Sequence, residues 1–201
     1  QRMNDIPPSQ RGIAMVFQSY ALYPHMTVYE NMAFGLTLAK ADKGEIDRRV
    51  RAAAEVLNIS GELDRKPKAL SGGQRQRVFL AMTLAQETPI TLLDEPTTYL
   101  DPAHQLSILD LIRDLNGAGV TVVMVVHDMV HAARYADRIV AMREGHIVAE
   151  GPTEEVMTAE LVRETFHVEC LEMTDPSTGR RFPIPISVHA PELSGTLEGR
   201  R

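Results

Sequence analysis

Three short apolar runs, separated by stretches with helical periodicity, constrain the fold of this chain more than any other feature. They cover residues 12–17, 90–93 and 121–126, and each leads directly into a polar residue. Runs of this length are typical of buried strands. Because strands that alternate with helices form α/β folds, the pattern predicts an α/β sheet that is mostly parallel.

The segments between these runs carry helix signals. Thr27 and Glu30 have the spacing of a capping box, which predicts a helix from there towards Leu38. In 45–57 the apolar residues fall on one face, as in an amphipathic helix. Further predictions are helices through 78–85, 103–116 and 129–136, a hairpin over 139–150, a helix capped by Thr153 and an edge strand at 180–186. The expected buried stripe of the 103–116 helix is Leu106, Leu109, Ile112 and Leu115.

Length, charge and cysteine content exclude several classes of protein. The 201 residues suffice for one large domain or two small ones. A net charge of −6 disfavours a general nucleic-acid-binding surface, so we predict no nucleic-acid partner. The single cysteine, Cys170, cannot form an internal disulfide, which favours a reducing, cytoplasmic setting. No apolar run approaches the roughly 18 residues that a membrane-spanning segment requires.

Two short motifs carry the chemistry. Asp94 and Glu95 follow an apolar strand, at the end where α/β folds bind ligands. Neighbouring strand residues point to opposite sides, so one carboxylate can bind Mg²⁺ while the other activates a water, as phosphoryl transfer requires. In 71–74 a serine hydroxyl and two glycines can bring backbone amides close to an anion at a helix N-terminus. Taken alone, these motifs are equally compatible with solvated edge carboxylates and an ordinary serine cap.

Considered together, the motifs identify a family. The run Leu-Ser-Gly-Gly-Gln-Arg-Gln-Arg at 70–77 resembles the signature motif of the ATP-binding cassette (ABC) ATPases. Four further segments resemble motifs of the same family and stand in the family's order. Gln18 resembles the Q-loop, 92–97 the Walker B motif, 98–101 the D-loop and 126–128 the segment with the switch histidine. The resemblance implies part of an ABC-type nucleotide-binding domain. Its divisions would be an ATPase core at 1–18 and 79–174, a helical subdomain at 19–78, and a C-terminal strand and loose tail at 175–201.

The resemblance also implies ATP and Mg²⁺ as cofactors and a role for each motif residue. Asp94 and Gln18 would bind Mg²⁺, and Glu95 would be the general base, with Gln18 in the water shell. His127 would contact the γ-phosphate. The residues that would bind the nucleotide of the opposite subunit, or communicate with it, are Ser71, Gly72, Gly73, Gln74 and Asp101. The implied partners are transmembrane permease subunits and a second, head-to-tail ABC ATPase subunit, at the cytoplasmic face of the plasma membrane.

One family motif has no counterpart in these 201 residues, namely the phosphate loop G-x-x-x-x-G-K-[ST]. We therefore expect an N-terminally truncated copy, with the first strands and the phosphate loop missing, and negligible ATP turnover by the chain alone. A pairing with an intact subunit would still form one complete site, to which this chain would contribute Ser71 and Gly73.

The resemblance changes character along the chain. Residues 1–78 resemble sugar-importer ATPases, whereas 79–186 resemble iron–siderophore importer ATPases, which is compatible with a chimera or with one divergent lineage. The longer second part, and the lack of room in 151–201 for the regulatory domain of sugar-type subunits, favour an iron–siderophore importer. The alternatives are a sugar-importer ATPase and a catalytically inactive partner subunit.

Three further classes are disfavoured. A DNA-repair relative would carry a long coiled coil, and 18–71 contains no heptad run; a ribosomal relative would carry two cassettes. His127 and His131 have the spacing of a zinc-protease helix. That motif needs both histidines within one helix, and His127 directly follows a strand.

Overall fold

The computed structural model describes residues 3–7, 11–16, 22–98, 100–176 and 179–188. The chain divides into two compact units, Gln1–Val126 and His127–Arg201. The assignment of a core and a helical subdomain within an ABC-type domain is a different kind of division, and it stays a prediction.

The first unit alternates strands and helices. Its elements are β1 (Ile13–Val16), α1 (Val28–Leu38), α2 (Lys43–Val56), α3 (Gly72–Ala85), β2 (Ile90–Asp94), α4 (Pro102–Gly117) and β3 (Thr121–Val125), with short 3-10 turns at Met3–Asp5, Ser60–Glu62 and Pro67–Ala69. The three strands are parallel and lie in the order β1–β2–β3. Ile90 in the middle strand pairs with Ile13 on one side and Thr121 on the other. The predicted α/β class with a parallel sheet is confirmed.

The two faces of this sheet differ. Thr91 and Leu93 are buried on the side where side chains of α3 and α4 pack against them. On the opposite side Met15, Val123 and Val125 are 45%, 54% and 50% exposed. The prediction of a buried strand at 121–126 is therefore wrong for one face of β3.

Helices α1, α2 and α3 form most of the apolar core. The apolar face predicted for 45–57 is confirmed, because Ile46, Val50, Ala53 and Ala54 of α2 are buried. Complete burial of a side chain such as Val50 contributes about 1.5–3 kcal/mol. The stripe predicted for α4 is wrong at one position: Leu106 is 38% exposed, and Ile108 is buried in its place.

The start of α1 follows the predicted capping box. The Thr27 hydroxyl accepts a hydrogen bond from the Glu30 amide at 3.1 Å, and the Glu30 carboxylate accepts one from the Thr27 amide at 2.6 Å. Both amides would otherwise lack partners at the first turn. This local pairing fixes where the helix begins.

The second unit is built on two hairpins and short helices. Its elements are α5 (Met129–Tyr135), β4 (Arg138–Arg143), β5 (His146–Pro152), α6 (Thr153–Val156), α7 (Ala159–Phe166), β6 (Val168–Thr174) and β7 (Arg181–Val188). The predicted β4–β5 hairpin is confirmed, and Glu144 and Gly145 at its turn have φ angles of 51° and 80°. Such positive angles match the twist of a two-residue hairpin turn. No helix in the described ranges is both long and apolar enough to span a membrane.

The strand predicted at 180–186 is present as β7. It pairs antiparallel with β6, a strand that the sequence did not indicate. One prediction for this unit is wrong. Thr153 is not a cap: α6 begins at Thr153 itself, after Pro152 at the N-cap. The Thr153 hydroxyl instead donates to the Ala136 carbonyl at 2.7 Å.

Asn31, in α1, is the subject of a first prediction. It is 1% exposed; its Oδ1 accepts from the Tyr23 amide at 2.8 Å, and its Nδ2 donates to the Thr27 carbonyl at 2.7 Å. Asn31→Ala leaves both groups without this partner, so we expect the free energy of unfolding to fall by about 2–4 kcal/mol. Urea denaturation measures the change. The control is Asn116→Ala, which removes one exposed hydrogen bond to Val120; equal losses would contradict the assignment.

Glu45, in α2, generates a prediction about acid stability. Hydrogen bonds from Arg48 and then Arg49, at 2.7 and 2.6 Å, lower the pKa of Glu45 from 4.5 to about 2. A carboxylate whose pKa is lower in the folded state stabilises the fold above its unfolded pKa, and this contribution disappears as the pH falls through the folded pKa. Between pH 4.5 and about 2, wild type should lose more stability than Glu45→Gln. Unfolding free energies across this range test it, and parallel profiles would refute it.

Candidate functional site

The carboxylate pair lies at the end of the central strand. Asp94 is the last residue of β2, where it pairs with Val125 of β3, and its side chain lies on the open face of the sheet. Glu95 follows, and its amide donates to the Val125 carbonyl at 3.2 Å. The two acidic residues are therefore held at the carboxyl end of a parallel sheet, as the sequence predicted.

The backbone turns sharply at Glu95. Its φ angle is 49°, in the left-handed region that non-glycine residues seldom adopt. Three residues on, the Thr98 amide donates to the Glu95 carbonyl at 3.3 Å, and the Thr98 hydroxyl donates to Glu95 Oε2 at 2.9 Å. This turn folds the chain back on itself and orients the Glu95 carboxylate. Strained residues of this kind cluster at functional sites.

Side chains from two helices anchor the turn after Glu95. Gln76 of α3 is buried, and its amide donates to the Pro96 carbonyl. Gln105 of α4 donates to the Thr97 carbonyl at 3.3 Å. The sequence analysis included Gln76 and Thr98 only as members of the motif runs 70–77 and 98–101 and predicted neither contact. It did not identify Gln105.

The signature motif lies at the N-terminus of α3. Ser71 is the N-cap: its hydroxyl accepts from the Gln74 amide at 3.2 Å, and Gln74 Oε1 accepts from the Ser71 amide at 2.9 Å. Gln74 also donates to Glu62 at 2.7 Å. Ser71 and Gly72 are exposed, whereas Gly73 is half-buried. The motif is thus a capping box that presents its serine and first glycine on the surface.

Asp101 precedes the first residue of α4, and the side chain of His104 connects it with the signature motif. As the N-cap of α4 it accepts from the His104 amide at 3.0 Å and from His104 Nδ1 at 2.5 Å. These bonds, the backbone one first, lower the pKa of Asp101. A Cβ placed on Gly73 would lie 2.5 Å from His104 Cδ2, so the imidazole packs directly on this glycine. The structure therefore brings together two motifs that the sequence presents separately.

Two predicted site residues remain, His127 and Gln18. His127 is exposed and is the first residue of the second unit. Asp128 is the N-cap of α5 and accepts from the His131 amide at 2.9 Å. Since His127 precedes the helix, the two histidines do not share a helical face, which removes the zinc-protease alternative. Gln18 lies outside the described residues.

The residues at the end of β2 suit a magnesium ion. Within the described ranges, no three His, Cys, Asp or Glu side chains are grouped closely enough to bind a metal by themselves. Mg²⁺ usually binds one or two carboxylates together with substrate phosphates and water, rather than a cage of protein ligands. Asp94, half-buried and adjacent to Glu95, offers carboxylate oxygens of the kind that this mode uses.

Comparison with known proteins identifies the class. A sequence model of the family described as ABC transporter matches residues 1–98, which include the signature motif and the carboxylate pair. A solved structure described as an inward-facing conformation of a metal-chelate type ABC transporter superposes with a TM-score of 0.78. It is 26% identical and covers 87% of this chain and 73% of that one.

Among individual proteins, those with high sequence identity are ATP-binding proteins of sugar transport. The alpha-glucoside transport ATP-binding protein AglK of Rhizobium meliloti is 53% identical over 153 residues, 75% of this chain. The maltose/maltodextrin import ATP-binding proteins MalK of Vibrio parahaemolyticus and Escherichia coli K12 are 53% and 51% identical over 152 residues. The chain spans about two fifths of their length, 41–42%. By these matches the chain is similar to proteins of the ABC transporter family.

The contact between Gly73 and His104 can be tested by substitution, with the neighbouring Gly72 as the control. Gly73→Ala forces a Cβ into the imidazole, so the ring must move and its hydrogen bond to Asp101 is disturbed, which we expect to lower the free energy of unfolding relative to Gly72→Ala. Gly72→Ala meets no atom within 4 Å, and alanine favours helix, so it should be neutral or stabilising. Thermal or urea denaturation of the two variants decides. Equal effects would show that the ring does not occupy this position.

Proposed function

We propose that this chain is part of the ATP-binding subunit of an ABC importer and that its cargo is a sugar. The observation that carries the proposal is the 53% identity over 153 residues with a protein named for alpha-glucoside transport. The relatives named for maltose and maltodextrin import support the same cargo class. ATP hydrolysis coupled to import is then the activity in which the chain takes part.

The sugar assignment replaces the iron–siderophore importer that the sequence motifs favoured. The alignment with AglK covers 153 residues, more than lie on either side of position 78, so similarity to sugar-type proteins continues across the expected seam. The solved structure described as metal-chelate type supports the other cargo, at 26% identity. Because identity to the sugar-transport proteins is about twice as high, we prefer a single sugar-type lineage to a chimera.

The proposed roles of the residues are those that the motif resemblance implies. Glu95 would accept the proton of the attacking water, with its carboxylate oriented by Thr98. Asp94 and Gln18 would hold Mg²⁺, which when bound neutralises charge on the phosphates. His127 would contact the γ-phosphate. The residues proposed to contact the nucleotide of the opposite subunit are Ser71, Gly72, Gly73 and Gln74, with Asp101 communicating across the dimer.

The proposed partners are the transmembrane permease subunits and a second ATP-binding subunit. These would hold the chain peripherally at the cytoplasmic face of the plasma membrane. Co-purification with the permease subunits of an alpha-glucoside importer, compared with those of an iron–siderophore importer, tests the cargo class. Retention by the siderophore permease alone would overturn the sugar proposal.

The shared site generates the next prediction. We expect negligible ATP turnover by the chain alone, and turnover when it is mixed with the Escherichia coli MalK whose own signature serine has been replaced by arginine. In that mixture only the partner's phosphate loop with this chain's Ser71 forms a complete site. Ser71→Arg should abolish the activity, because a long cation replaces the hydroxyl at the phosphate position.

Ser60→Arg is the matched control, an exposed serine on a 3-10 turn of the same unit. It should retain full turnover in the mixture, measured by phosphate release with Mg²⁺ and ATP. Size-exclusion chromatography establishes that the mixed dimer forms. A formed dimer without turnover, or equal turnover with Ser71→Arg, would refute the proposed role of this motif.

A further inference from the structure

His104, in the first turn of α4, contacts two of the proposed nucleotide-site motifs at once. It belongs to neither the signature motif nor the D-loop, and the proposed mechanism assigns it no role. Its side chain is 52% exposed, so the structure does not need it for core packing. Its position between the two motifs calls for a different explanation.

One edge of the imidazole holds Asp101. Both oxygens of the Asp101 carboxylate accept hydrogen bonds from His104. Oδ1 accepts from the His104 amide at 3.0 Å, and Oδ2 accepts from His104 Nδ1 at 2.5 Å. Because a carboxylate only accepts hydrogen bonds, Nδ1 is the protonated nitrogen in this contact. The rotation of the Asp101 side chain is thereby fixed relative to α4.

The other edge of the imidazole rests on Gly73. An added Cβ at Gly73 would lie 2.5 Å from Cδ2 and 3.0 Å from Nε2 of His104. The ring therefore fills the space beside the second helical residue of α3. A second link joins the same two helices further along, where Arg77 donates to Ser107 at 3.0 Å. These two contacts fix the start of α4 relative to the start of α3.

We propose that His104 is a positioning residue which holds the D-loop aspartate, Asp101, in register with the signature glycine, Gly73. This inference rests on the proposed function, in which both motifs act at a site shared between two subunits. A group that acts at such a site must be held closely in place, because small displacements lower the rate of reaction. His104 provides this by combining a hydrogen bond to one motif with a steric contact to the other.

The test compares substitutions of His104 in the mixed dimer with signature-inactivated MalK. His104→Ala should lower kcat roughly tenfold while KM for ATP changes less than about twofold, because a misplaced Asp101 affects turnover more than ATP binding. His104→Asn retains a donor that reaches Asp101 and should recover at least half of the wild-type kcat. His104→Phe retains a ring but no donor and should not. His146→Ala, an exposed histidine of the other unit, is the control and should match wild type.

Stability measurements on the chain alone test the Gly73 contact without reference to catalysis. If the ring packs as described, Gly73→Ala should lower the urea midpoint less in a His104→Ala background than in wild type, since removal of the ring makes room for the new Cβ. Additive effects would overturn the contact.

The outcomes separate the two proposals. Wild-type kcat in His104→Ala, or rescue by phenylalanine rather than asparagine, would overturn the positioning role and leave the proposed function standing. A mixed dimer that is inactive with the wild-type chain would overturn the proposed function, and with it the role of His104 in turnover. The stability comparison would still report on the contact between the imidazole and Gly73.

Discussion

The arrangement of the first unit depends on the pairing of β2 with a strand on each side. A central strand satisfies its backbone amides and carbonyls through both neighbours, so its position is set by β1 and β3 together. The side chain of Leu93 is buried beneath the helices, while Asp94 lies on the opposite face at the strand end. This pairing continues through the Glu95 amide, so the carboxylate pair is rigidly attached to the sheet. Helices α3 and α4, which begin at the signature motif and at Asp101, are linked to this end of β2.

Long-range polar contacts then connect the helices to that end. Gln76 joins α3 to the Pro96 carbonyl, and Gln105 joins α4 to the Thr97 carbonyl. His104 links the starts of the two helices through Asp101 and Gly73. A shift of either helix would therefore change the turn that carries Glu95. In the proposed importer subunit, these contacts would connect the signature motif with the turn that carries Glu95.

Features decided by neighbouring residues were predictable from the sequence. The Thr27 capping box and the apolar face of α2 depend on residues three or four apart, and both are present as expected. Features that depend on distant partners were not. Strand β6 leaves Leu171 and Met173 exposed, and its pairing with β7 defines it. Leu106 has the right spacing for the core, but the packing of α4 leaves it exposed and buries Ile108.

The sequence by itself determined the order of the motifs, the α/β class and the acidic residues at the end of β2, because apolar periodicity and short spacings are local properties of the chain. Only the tertiary structure decided that β3 is open on one face, that Glu95 adopts a left-handed backbone held by Thr98, and that Gly73 and Asp101 meet through His104. These features depend on which helix packs on which strand and which side chain reaches across. The physical reason is that such contacts join residues far apart in the chain, where no spacing rule constrains them.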